Sequence, residues 1–178
     1  MDVANGDPLD LSRILVAVSD DDDPNGSWYY HSINSMVNIP DPEARTTRVT
    51  HWADYPGLAI DEEGIYVTAN MFAFGGGPNG SRLWIVDKGL GKGGLYDGGV
   101  GVSKIYDPMT ASGAPADIDI TSTTPMRTLQ PAHVFGTAPQ GVGTWLAAYD
   151  GRTDTVNEFV DVIRITNPLG NRRSRGFP

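Results

Sequence analysis

The sequence predicts an all-β fold and, within that class, a partial β-propeller: about one complete four-stranded blade plus parts of two neighbours. Three observations point there. Short apolar runs rich in β-branched and aromatic residues recur, each ended by Gly, Pro, Asn or Asp, which is how strands between turns read. No segment keeps an i, i+3, i+4, i+7 apolar stripe long enough for an ordinary amphipathic helix. Two stretches also nearly repeat one another, "DPNGSWYYHSI" from Asp23 and "GPNGSRLWIVDK" from Gly77.

The expected strands follow in chain order. "RILVAVSD" (13–20) is a β-branched run closed by acidic residues and Pro-Asn-Gly. "SWYYHSIN" (27–34) is short and aromatic. "PGLAID" (56–61) and "GIYVTANMF" (64–72) flank a tight "EEG" turn. "SRLWIVDK" (81–88), "VGVSKIYD" (100–107), "GTWLAAYD" (143–150) and "EFVDVIRIT" (158–166) complete the series. Two further segments, "WADYPGLAID" and "RTLQPAHVFG", read as apolar strands entered through Pro56 and Pro131. Proline at the first residue of a strand removes no ladder hydrogen bond.

The pattern strand, polar loop, strand occurs three times, the third as "TWLAAYD", "GRTDTVNE" and "FVDVIRIT". Repeats of this length with three or four strands each suggest propeller blades. The blade parts fall at about 11–51, 52–115 and 125–170 of a single segment 1–178, with 171–178 as a flexible basic tail. Runs such as "ILVAV" and "LWIV" are apolar on both strand faces, as expected where neighbouring blades cover each side. A β-sandwich is the competing architecture. Propellers close with about four to eight blades, so the chain reads as an arc completed by further blades or by other copies. Such an arc exposes sheet faces and edges.

Composition narrows the partners. The chain has 178 residues and a net charge of −9, which repels a phosphate backbone, so no nucleic-acid partner is expected. There is no cysteine, hence no disulfide, thiol catalysis or zinc–thiolate site. No apolar run approaches the roughly 18 residues of a membrane helix, so no membrane insertion is expected. The opening "MDVANGDPLD" lacks the basic and apolar regions of a signal peptide. The expectation is a cytoplasmic product or one cut from a longer parent.

Taken in series, "AVSDDDDPNGSWYYHSI", "WADYPGLAIDEEGIYVTANMF" and "LQPAHVFG…W" resemble the propeller-like regions of a broad group of large exported bacterial proteins. Those regions carry VS…DP-G-WY, W-DYP-x-L, YVT-N-F and PA…G in this order. The resemblance covers about residues 14 to 170 and implies an extracellular or cell-surface propeller without a settled activity. Asp23, Gly26 and Trp28 are similar to the Asp-box turn of sialidase-type propellers, with the spacing off by one. That turn is a folding element and implies no sialidase chemistry.

Candidate chemistry is sparse. Asp20, Asp21, Asp22 and Asp23 are consecutive carboxylates whose repulsion a cation would relieve, and with Asn25 and loop carbonyls they could ligate Ca²⁺. A solvated acidic loop is the plainer reading. Asp117 and Asp119 alternate as on a strand surface, and His31, His51 and His133 are scattered. Asp54, Tyr55 and His133, near strand beginnings, are the weak catalytic candidates for acid–base work. The glycine-rich stretch "GLGKGGLYDGGVG" (89–101) lacks the GK[ST] ending of a phosphate loop and reads as flexible. Asn25-Gly-Ser and Asn79-Gly-Ser are glycosylation sequons expected in exposed turns. The aromatics read mainly as packing between blades, with stacking on sugars as the alternative.

The expected function is a non-enzymatic propeller segment of an extracellular or surface protein, acting as an interaction or structural module. Its partners would be protein, glycan or further blades. The alternatives are a glycan-active enzyme of the sialidase or glycosidase type, or a Ca²⁺-dependent carbohydrate-binding module.

Overall fold

The computed structural model describes residues 2–4, 11–40, 48–106, 128–134, 143–149, 160–165 and 168–169. Among the described residues, three antiparallel sheets form in chain order. The first holds β1 (Asp2–Ala4), β2 (Leu11–Ser19) and β3 (Trp28–Asn34), in that order. The central sheet runs β4 (Val37–Pro40), β5 (Arg48–Ile60), β6 (Gly64–Ala73), β7 (Pro78–Asp87) and β8 (Val102–Tyr106). The third has β9 (Thr128–Val134), β10 (Gly143–Tyr149) and β11 (Val160–Arg164), with β10 in the middle. The five-stranded sheet curls into a half-barrel, and the whole is all-β, consistent with a partial propeller-like fold.

Both faces of the central sheet are covered at β6 and β7, while Leu58 and Ile60 of β5 stay exposed. Successive side chains on a strand point to opposite faces, so β6 feeds two cores at once. Ile65, Val67, Ala69 and Met71 join Trp84 and Val86 of β7 against Ile14 and Ile33 of the first sheet. Tyr66 joins Leu83, Ile85 and Ala59 in a second cluster, packed by Ile165 and Leu169 beyond β11. Strand β9 lies against β5 and β6. The first eight residues of β6 are therefore all buried, and the run "LWIV" is buried throughout.

A buried polar joint ties the first sheet to the second. The Ser12 and Ser35 hydroxyls lie 2.8 Å apart. Ala53 N–H donates to Ser12 Oγ at 3.2 Å, and Ser35 N–H donates to the Ser12 carbonyl at 3.1 Å. These bonds satisfy groups that burial would otherwise leave unpaired.

Several sequence expectations shift in detail. The central sheet carries β4, a strand beyond the four expected, drawn from upstream of residue 52. Pro56 does not open a strand. It lies within β5, where the register to β6 shifts between Asp54 and Gly57, and a bulge tolerates proline because its N–H is not needed there. Pro131 likewise sits inside β9, at the edge of its sheet, where a missing donor costs no ladder bond when it faces outward. The two PNGS copies also differ. Pro24–Ser27 forms the turn between β2 and β3, whereas Pro78–Ser81 opens β7. Gly80 has φ 84° in that second copy, beside a register shift between Asn70 and Phe72. Of the two sequons, only Asn25 is in a turn; Asn79 is in a strand.

Candidate functional site

The run "ILVAV" does not have both faces covered, and this difference defines the most distinctive surface of the molecule. Burial along β2 alternates. Ile14 turns into the core, while Leu15 keeps 65% of its surface exposed. The register pairs Ser19 with Trp28, Ala17 with Tyr30, Leu15 with Ser32 and Arg13 with Asn34. All eight side chains point away from the core on one side of the sheet. Tyr30 is 75% exposed and Trp28 and Leu11 are each 40% exposed. The Trp28 indole N–H donates to the Pro24 carbonyl at 3.2 Å, and Arg13 Nη1 donates to Ser32 Oγ at 3.2 Å. The result is a face on which Leu11, Leu15, Ala17, Trp28 and Tyr30 stand exposed beside the polar Ser19, Ser32 and Asn34, with Arg13 near the start of β2, opposite Asp2 in register.

At the far end of this face stands the acidic loop. Asp23 N–H donates to Asp21 Oδ1 at 2.8 Å. Asn25 donates to Asp23 Oδ1 through both its backbone N–H, at 2.9 Å, and its Nδ2, at 3.0 Å. Gly26 N–H donates to the Asp23 carbonyl at 3.0 Å. A Cβ on Gly26 would fall 2.9 Å from Asp20 Oδ1, so a larger residue there would push the Asp20 side chain aside. Asp21, Asp23 and Asn25 are thus engaged in building the turn. Among the described residues no group of three or more His, Asp or Glu side chains is placed to hold a metal ion.

The weak catalytic candidates lie at the β5 bulge and on β9. Tyr55 has φ 53°, rare for a residue with a side chain, and is 65% exposed. Its N–H donates to the Asp54 carboxylate at 2.8 Å. Asp54 pairs in register with Asn70 of β6, and Ser81 Oγ donates to Asn70 Oδ1 at 3.3 Å. His133 is carried by β9, the strand that lies against β5 and β6. The fold therefore brings the elements bearing all three residues together. Asp117, Asp119 and the 171–178 tail lie outside the described residues.

The other two histidines, His51 and His31, lie on β5 and β3. His51 is buried, with Nδ1–H donating to the Val49 carbonyl at 2.6 Å. His31 meets Ser103 Oγ at 3.3 Å through Nε2, and burial pushes its pKa down.

The glycine-rich stretch is an organised loop. It contains a 3-10 turn, Leu95–Asp97, with Leu95 fully buried in the first core. Asp97 Oδ2 accepts N–H groups from Lys92 and Gly93, each at 2.8 Å. The N–H groups of Gly91, Gly93, Lys92 and Gly94 hold its carboxyl below the usual carboxylate range. Consecutive backbone donors of this kind form an anion nest, and here the anion is the chain's own carboxylate. Lys88 Nζ lies 4.9 Å from the Tyr96 ring centroid.

Comparison with known proteins returned no match to a family model, a curated protein or a solved structure. The geometry alone therefore supports the functional reading. Sequence reasoning placed Trp28 and Tyr30 on a strand but assigned the aromatics mainly to packing. The strict period of two shows which of them point outward: Tyr29 packs inward against the first core, and its neighbours on either side do not.

Proposed function

We propose that this chain is a non-enzymatic structural and interaction module, a propeller-like segment whose first sheet receives a further β-sheet on its outer face. The observation that carries the reading is the contrast within β2, where a run with interior composition presents Leu15, Ala17 and Leu11 to solvent beside Trp28 and Tyr30. Contiguous exposed apolar surface of this kind marks interaction sites, and sheets pack face to face through such surfaces. The central sheet supplies the precedent, because the first sheet packs against one of its faces through Ile14 and Ile33. The motif series over residues 14 to 170 supports an extracellular or cell-surface parent.

The test uses an apolar fluorescent dye at high protein dilution. The wild-type chain is expected to bind the dye, and a Leu15→Asp, Tyr30→Asp double variant to lose most of that binding while its circular dichroism is retained. Equal dye binding by the two proteins would overturn the reading.

A further inference from the structure

We infer that the outer face of β1–β3 pairs with the same face of a second copy of this chain, about a two-fold axis. The inference rests on the module reading above and adds the identity of the partner. Its argument is charge placement. Arg13 lies exposed near the start of β2, and the Asp20–Asp23 loop follows directly after its end. Leu15 and Ala17 lie between them, flanked by Tyr30 of β3. Arg13 thus stands at one end, with Asp2 of β1 opposite it in register, Leu15 and Ala17 lie in the middle, and the four carboxylates of the loop stand at the other end.

A two-fold axis through the middle of such a face lays the two β2 strands antiparallel. Each Arg13 then meets the acidic loop of the other copy, while the apolar centres meet each other. Isologous pairing demands this kind of self-complementarity. Parallel stacking of the two β2 strands would instead set the acidic loops against one another, eight carboxylates on two copies, four from each. Like charges brought together across an interface oppose that arrangement. The carboxylates of Asp20 and Asp22 take part in none of the turn bonds that Asp21 and Asp23 make, so they remain available to the guanidinium.

The area of the face sets the strength. Nine residues of β2 and three strands span about 30 Å by about 14 Å, or about 400 Å² per copy. That is below the standard size of a stable interface, so the pair is weak and reversible.

The test is analytical ultracentrifugation of the full chain over a wide concentration range, at low and at high salt. The expected result is a monomer–dimer equilibrium that weakens with salt. Leu15→Asp and, separately, Tyr30→Lys are expected to leave a monomer at every concentration with unchanged circular dichroism; two variants guard against one failing to fold. Arg13→Glu is expected to weaken the dimer on the order of tenfold at low salt. Mixing it with an Asp20→Arg, Asp22→Arg variant should restore association as a heterodimer. A wild-type chain that stays monomeric while its dye binding remains sensitive to Leu15→Asp would overturn the second-copy partner and leave the module reading standing. A dimer indifferent to all of these substitutions would place the contact elsewhere and also overturn the inference.

Discussion

The first sheet and the central sheet are built from similar apolar runs and are treated differently by the fold. In the central sheet, residues 83–86 of β7 are buried on both faces. In the first sheet, "ILVAV" of β2 is buried on one face only. Composition therefore does not by itself decide burial; coverage by a neighbouring layer does. Strands β6 and β7 are packed on both sides, whereas the outer face of the first sheet is exposed.

That comparison is broken most directly by truncating one residue in each sheet. Trp84 is 1% exposed and sits in the first core. Trp84→Ala is expected to cost about 3–5 kcal/mol in a urea melt. Leu15→Ala, on the open face, is expected to change monomer stability by less than about 0.5 kcal/mol. Equal costs at the two positions would mean that β2 is covered on both sides after all.

A smaller effect probes the seam between the sheets. A Cβ on Gly101 would fall 2.5 Å from His31 Cγ, so the glycine-rich loop approaches β3 as only glycine permits. Gly101→Ala forces the His31 ring or the loop to move and should cost about 1–3 kcal/mol. Thermal melts of the variant and of a Gly101→Ala, His31→Ala double variant make the check. The second substitution should recover part of the loss if the ring is the obstacle.

The smallest expected effect is a pH dependence at the same seam. Burial lowers the His31 pKa, so the unfolded chain binds that proton more readily than the folded one. Stability is then full above the ordinary histidine value of about 6.5 and declines as the pH falls through the lower folded value. Asp97 acts in the same direction further down. Backbone donors depress its pKa, so its contribution is present above the ordinary carboxylate range and is lost on acidification below it. His31→Gln should flatten the first decline and leave the second. A decline unchanged in His31→Gln would assign it to another group.

Much of the architecture was legible in the sequence. The strands appear where β-branched and aromatic runs meet turn residues, as at "GIYVTANMF", which forms β6 over Gly64–Ala73. Residues 37–40 were not read as a strand because β4 is four residues long and shows too little periodicity. Pro56 misled in a specific way. Sequence rules place strand proline at a start or a bulge, and the fold uses the bulge. The site was less legible. Trp28 and Tyr30 fall on an expected strand, but only the packing of the sheets shows that their side of it is exposed. The acidic loop drew attention as four adjacent carboxylates, yet two of them are engaged in shaping the turn. Asp97 passed unnoticed because a carboxylate four and five residues from its donors looks like any surface acid until the loop closes on it.

Local patterns determined the all-β class, most strand positions and the turns, because β-propensity, proline and glycine act over a few residues and leave their mark in the chain itself. Tertiary structure alone decided which apolar faces are covered and which face of the first sheet stays open. Those outcomes depend on contacts between residues far apart in sequence. A strand's period of two separates its two sides but cannot say whether another layer lies against either of them.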